Sequence, residues 1–125
     1  KLVRIIRILN FLSLLLFTAT IAGAQELSVA DQNKLEELLT ESQSLFVQEH
    51  PLEAKAKLYE ALKIAPNDYR PHLRLAEYYL SKVGHFSMAY RLINRAEELF
   101  SKAHGSDLDQ TLDTTYWREH ARLLY

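Results

Sequence analysis

The 125-residue chain contains no cysteine, so it can carry no disulfide, no covalent c-type haem and no lipid on a cleavage-site thiol. Helix breakers are scarce: there are three prolines and three glycines, and all but Gly23 fall at the ends of apolar-periodic segments rather than inside them. No run alternates apolar and polar residues as a half-buried strand does. Positive charge is not in excess either, with 15 Lys and Arg against 16 Asp and Glu. Three of those cations, Lys1, Arg4 and Arg7, sit in the first few residues. Without them the balance is 15 − 3 = 12 against 16, a formal net charge of −4, which argues against nucleic acid as a partner.

Those three cations precede a mostly apolar stretch, residues 8–21, which ends in Ala22-Gly23-Ala24. A basic start, an apolar middle and small residues at the end describe a secretory signal peptide over residues 1–24, cut between Ala24 and Gln25. The protein is then exported, to the periplasm or outside. The alternative is an uncleaved membrane anchor, because residues 5–24 approach the roughly 20 needed to span a bilayer; Asn10, Ser13, Thr18 and Thr20 interrupt that run. The rest, residues 25–125, forms one small helical domain with a shallow core. The first residue is lysine rather than methionine, so the chain reads as a fragment or a trimmed frame, open at both ends.

About five helices are expected after the leader. Ser28 with Asp31 has capping-box spacing, and Leu35, Leu38, Leu39, Ser42, Leu45 and Phe46 follow one helical face until His50-Pro51 stops it. A second helix, residues 51–64, has Ala54, Leu58, Ala61 and Leu62 on its inner side, with Glu53 and Lys57 spaced to pair outside. Asn67 or Asp68 caps a third, with Pro71 in its first turn, Leu73, Ala76, Tyr79 and Leu80 inward, and Gly84 as its stop. A fourth, near 87–104, turns Ala89, Ile93, Ala96 and Phe100 inward. A last helix starts from the capping pair Ser106 and Asp109. The class is all-α.

Small residues repeat along these helices. Ala54 and Ala61 lie 35 residues before Ala89 and Ala96, and Ser42 lies 34 before Ala76. Such a period marks stacked helical hairpins, an α-solenoid. With Pro66 as a repeat-closing proline, one unit covers 35–68; the second runs from Tyr69 with Ala76, Tyr79, Gly84, Ala89 and Ala96 in matching places and one inserted residue near Ser87 or Met88. A third opens near Thr114 with Trp117 and Ala121 and stops after one helix. In these positions the chain resembles the tetratricopeptide repeat (TPR) family over residues 35–125. It departs from it at Leu38, where tryptophan is common, and at Glu49, where glycine is common. The last helix carries an apolar arc of about 200°, broader than one packed face needs, so the chain is expected to continue past Tyr125 or to dock that face on a partner.

The resemblance implies a concave face built from first helices. In some TPR proteins cationic and amide side chains on these faces grip a peptide's terminal carboxylate; the matching places here hold Leu39 and Gln43, Arg74, and Thr115 and Glu119, so that clamp is absent and binding of that type is not implied. The remaining inner surface, Leu39, Gln43, Phe46, Arg70, Leu73, Glu77 and Leu80, reads as a groove for an apolar or helical segment, with Arg70 and Leu73 as preferred contacts; the alternative is that Leu39 and Phe46 only pack. The histidines at 50, 72, 85, 104 and 120 never fall one turn apart, so no metal is expected, and Met88 with His120 makes a poor haem pair. Tyr59, Tyr69, Tyr78 and Tyr90 suit an interface rim. Glu36-Glu37 and Glu97-Glu98 read as solvated faces. No nucleophile, base and oxyanion donor converge in the sequence. The expectation is a non-enzymatic interaction scaffold without a cofactor that binds a protein or peptide partner and touches a membrane only if the leader stays uncut. The alternatives are a membrane-tethered assembly factor, a ligand- or haem-binding bundle, or the N-terminal scaffold of a larger protein.

Overall fold

The computed structural model describes residues 26–104 together with Thr114 and Arg118. The leader, the helix expected from Ser106, and Trp117, Ala121 and His120 lie outside the described residues. Those described form four helices packed against one another, with no strand among them: α1 (Val29–Val47), α2 (Pro51–Ile64), α3 (Tyr69–Tyr78), which runs on into a π-helical turn (Tyr79–Val83), and α4 (Phe86–His104). None of them is long and apolar enough to cross a membrane. The closest packing is within the pairs α1–α2 and α3–α4, and α2 against α3 joins the pairs.

The helix ends follow from local chemistry. Ser28 Oγ accepts the Asp31 amide at 3.1 Å, and Asp68 Oδ1 accepts the Arg70 amide at 2.9 Å, so each side chain satisfies an amide that the first helical turn leaves unpaired. Pro51 opens α2, where its missing donor costs nothing. α1 closes with the His50 amide on the Leu45 carbonyl at 2.8 Å and the Glu49 amide on Phe46 at 3.3 Å. That pattern requires a left-handed residue between them, and Glu49 takes it at φ 62°. Gly84 closes the π turn in the same conformation at φ 73° without the Cβ penalty. Glu49→Gly is therefore expected to raise stability by about 1 kcal/mol, because the exposed Glu49–Lys82 pair it removes is worth little. Chemical denaturation measures the change, and a loss of stability would overturn this account.

The core gathers Leu35, Leu38 and Leu39 of α1, Leu58 and Ala61 of α2, Ala65, and Leu75 of α3. Ala54, Ala61, Ala76, Ala89 and Ala96 are all at most 1 % exposed, and Ser42 is buried with its hydroxyl returned to the Leu39 carbonyl at 2.8 Å. Small side chains there let the helix axes approach closely. Burial differs from the sequence expectation at several residues of the second hairpin. Leu75 and Tyr78 are buried while Leu73 and Tyr79 are only half-buried, because α3 packs on both α2 and α4 and needs two inner faces. Tyr78 is thus core and not rim. On α4 it is Leu99 that is fully inward, and Phe100 sits half-buried, edge-on to Tyr69 at 5.0 Å. Lys57 reaches across to Glu41 of α1 at 3.1 Å, leaving Glu53 beside His50 at 3.7 Å, so the expected Glu53–Lys57 pair is replaced by a link between helices.

The single inserted residue has a definite place. Ser42 and Ala76 are 34 apart, but the left-handed closers Glu49 and Gly84 are already 35 apart, so the insertion precedes Gly84. It is taken up in the π turn, where the Gly84 amide reaches back five residues to Tyr79. The expected position near Ser87 or Met88 is corrected accordingly. Beyond Gly84 the two hairpins run in step: the Ala54 amide bonds to His50 and the Ala89 amide to His85, both at 3.0 Å.

Candidate functional site

A recessed surface lies between α1 and α3. Two openings meet there. One, of about 390 Å³, is bounded by Glu36, Leu39, Thr40 and Ser44 of α1 and Arg70 of α3. The other, of about 110 Å³, is bounded by Phe46, Val47, Leu58 and Glu77. Gln43 and Arg74 border both, and the Arg74 guanidinium donates to the Gln43 carbonyl oxygen across the groove.

Arg70 is held rather than free. Its Nη1 donates to Glu36 Oε1 at 2.7 Å, and its Nε and Nη2 donate to Asp68 at 3.1 and 2.8 Å. Asp68 first, and then Glu36 against the cost of burial, raise its pKa further above the ordinary guanidinium value. The carboxylate that caps α3 thus also holds its first arginine, and Glu36 ties that arginine to α1. Glu77 lies one turn past Arg74; burial pushes its carboxyl above the usual range, and the Arg74 charge partly offsets this. At the far end of the groove Lys82 pairs with Glu49 at 3.2 Å and lies 5.3 Å over the Phe46 ring.

The sequence-derived candidates divide. Gln43, Glu77, Arg70 and Leu39 border the openings, although Leu39 is only 6 % exposed and belongs mainly to the core. Leu73 is half-buried and borders neither opening. Leu80 is buried against Ala89 beneath Tyr79 and Phe86 and serves packing. Arg74 and Phe46 border the groove more directly than Leu73 does. The signal for Arg74 was its position one turn after Arg70, but choosing between the two required knowing which carboxylates each meets.

Outside the groove, Tyr59 of α2 and Tyr79 share a hydrogen bond at 2.9 Å. Burial of the ring, with that bond, raises Tyr59 to about 12. On α4, Glu97 accepts from both Thr114 and Arg118, and Arg118 also donates to Asn94 at 2.8 Å and covers the Tyr90 ring at 5.3 Å. Arg118 first, then Thr114 against some burial, holds Glu97 below the usual carboxylate range. Glu36 and Glu97, expected as solvated faces, are thus both engaged between elements. Among the described residues no three His, Asp or Glu side chains gather to hold a metal.

Fold and groove define an all-helical protein whose recessed face lies along α1 and α3. No family model, curated protein or solved structure matches the chain.

Proposed function

We propose that the protein is an exported, non-enzymatic interaction scaffold built as a short TPR-like stack, which holds a partner segment in the α1–α3 groove. The observation that carries this reading is the repeated hairpin. Equivalent alanines are buried in α2 and α4, equivalent left-handed residues close α1 and the α3 π turn, and the first helices of both hairpins share one recessed face. Each hairpin hides its small-residue side against its neighbour. What remains exposed between α1 and α3 is a mixed strip of Gln43, Phe46, Val47 and Arg74, suited to a helical or extended peptide.

Random peptides displayed on phage and selected on the immobilised full chain test the reading. Phe46→Ala is expected to lower retention about tenfold, whereas Leu52→Ala, at an apolar and more exposed position on α2, leaves it unchanged. Far-UV circular dichroism should be the same for both variants. Retention lost with Leu52 and kept with Phe46 would move the binding face elsewhere. Export is tested by the mass of the mature protein, which lacks residues 1–24 if the leader is cut and retains them if it serves as an anchor.

A further inference from the structure

We infer that residues 114–125 form a helix that docks along the seam between α3 and α4, fastened through Glu97, with Trp117 and Ala121 turned inward over Leu73. The inference goes beyond the α1–α3 groove and does not depend on it, because it concerns another side of α3. Helices α3 and α4 run antiparallel: Tyr69 meets Phe100 edge-on, and Leu80 packs on Ala89. Tyr69, Leu73, Ala76 and Leu80 follow one stripe of α3. Leu73, four residues past Tyr69, is therefore level with Ala96, four before Phe100, and with its neighbour Glu97. It is only half-buried and borders neither opening of the groove, so α4 leaves one flank of it uncovered.

The occupant is named by continuity and by charge. At the level of Leu73, Glu97 accepts the Thr114 hydroxyl and the Arg118 guanidinium, whose Nε donates at 2.8 Å. Arg118 also donates to Asn94 at 2.8 Å and covers the Tyr90 ring, so it spans the α4 side chains from Tyr90 to Glu97. Thr114 is only 3 % exposed, and its carbonyl accepts the Arg118 amide at 2.9 Å, the bond that opens an α-helix. Residues three, four and seven places along a helix share a side. A helix continued from Thr114 thus puts Trp117 and Ala121 on the side that Thr114 and Arg118 turn to α4. Charge alone does not choose the place, since Glu98 beside it is satisfied within its own helix by Arg95 at 2.9 Å and Lys102 at 2.8 Å. Glu97 differs in standing next to the uncovered flank of Leu73. The stack is then closed by its own chain, and of the broad apolar arc only Tyr116 and Leu123 are left for any other neighbour.

Amide hydrogen exchange of the full chain, read by mass spectrometry over residues 114–125, tests the seat together with the emission of Trp117, the only tryptophan. Exchange there is expected to be at least about tenfold slower than in the same segment as a free peptide. Glu97→Gln is expected to speed it about tenfold and shift the Trp117 emission to the red, with exchange in α1 and α2 unchanged. Leu73→Ala acts in the same direction. Glu98→Gln, which loses only exposed pairs, changes neither signal. Glu97→Arg releases the segment, and the further change Arg118→Glu restores its protection, which a general loosening of α4 does not allow. That swap decides the matter even if a single change loosens the whole domain. Exchange as fast as in the free peptide, protection indifferent to Glu97→Gln while Glu98→Gln abolishes it, or no recovery in the swapped pair each overturns the seat. Protection that is lost on dilution shows the segment of a second copy in its place, and overturns it too.

Discussion

Deletion of Ser81 is expected to leave the protein folded, whereas deletion of Thr40 is expected to unfold it. The two residues are matched: both are exposed helical hydroxyls, and each returns its hydrogen bond to the carbonyl four residues earlier, Ser81 to Glu77 at 2.7 Å and Thr40 to Glu36 at 2.9 Å. They differ in what the surrounding helix can absorb. Removing one residue from an α-helix rotates everything beyond it by about 100° relative to what came before. In α1 this breaks the register between Leu35, Leu38 and Leu39 and all that follows them, so the three leucines turn away from the core that Ser42, α2 and α3 complete. Each buried leucine is worth about 2–5 kcal/mol, so losing three exceeds the stability of a small domain. Ser81 sits in the π turn, which already contains one residue more than an α-helix needs. Its deletion tightens that turn to α geometry, restores a 34-residue spacing throughout, and changes stability by about 1 kcal/mol or less. Circular dichroism and thermal unfolding of the two deletions decide the matter. If both unfold, or both fold, the π turn is not where the extra residue resides.

Leu75→Ala is expected to cost about 3 kcal/mol, the largest effect of any single side-chain truncation in α3. Leu75 is completely buried, and although it belongs to the second hairpin it packs in the core that α1 and α2 build. Its loss leaves a cavity at the junction between hairpins and removes apolar contact that neither hairpin can replace alone. Leu52→Ala, at 66 % exposure, is the control and is expected to change stability by less than about 0.5 kcal/mol. Urea denaturation followed by helicity and by tyrosine fluorescence measures both. A Leu75→Ala protein as stable as the parent would show that the hairpins do not share a core, and the stacked reading of the groove would fall with it.

The helices were largely legible because their signals are local. Ser28, Asp68, Pro51 and Gly84 each act on backbone groups within a turn of themselves, so their positions mark the ends of α1 to α4 closely. The small-residue period was legible for the same reason that it exists: close axis approach tolerates little at Ala54, Ala61, Ala89 and Ala96. Burial in α3 was harder. A one-sided stripe is the rule for a surface helix, whereas α3 lies between two neighbours, which puts Leu75 and Tyr78 inward on a face that periodicity alone leaves open.

The groove was legible only as a face. Helical spacing places Gln43, Phe46, Arg70, Arg74 and Glu77 on the inner sides of two first helices, and the charges are plain in the chain. Which arginine is already matched is not, since Glu36 and Arg70 are 34 residues apart, Gln43 and Arg74 are 31 apart, and Glu49 and Lys82 are 33 apart. Backbone periodicity and helix punctuation thus settle the helices and their ends, because those depend on neighbours within a few residues. The π turn's place, the second buried face of α3 and the pairing of each groove cation were decided by packing between distant segments, where the low dielectric of partly buried surface and the fit of side chains choose among partners that no local pattern ranks.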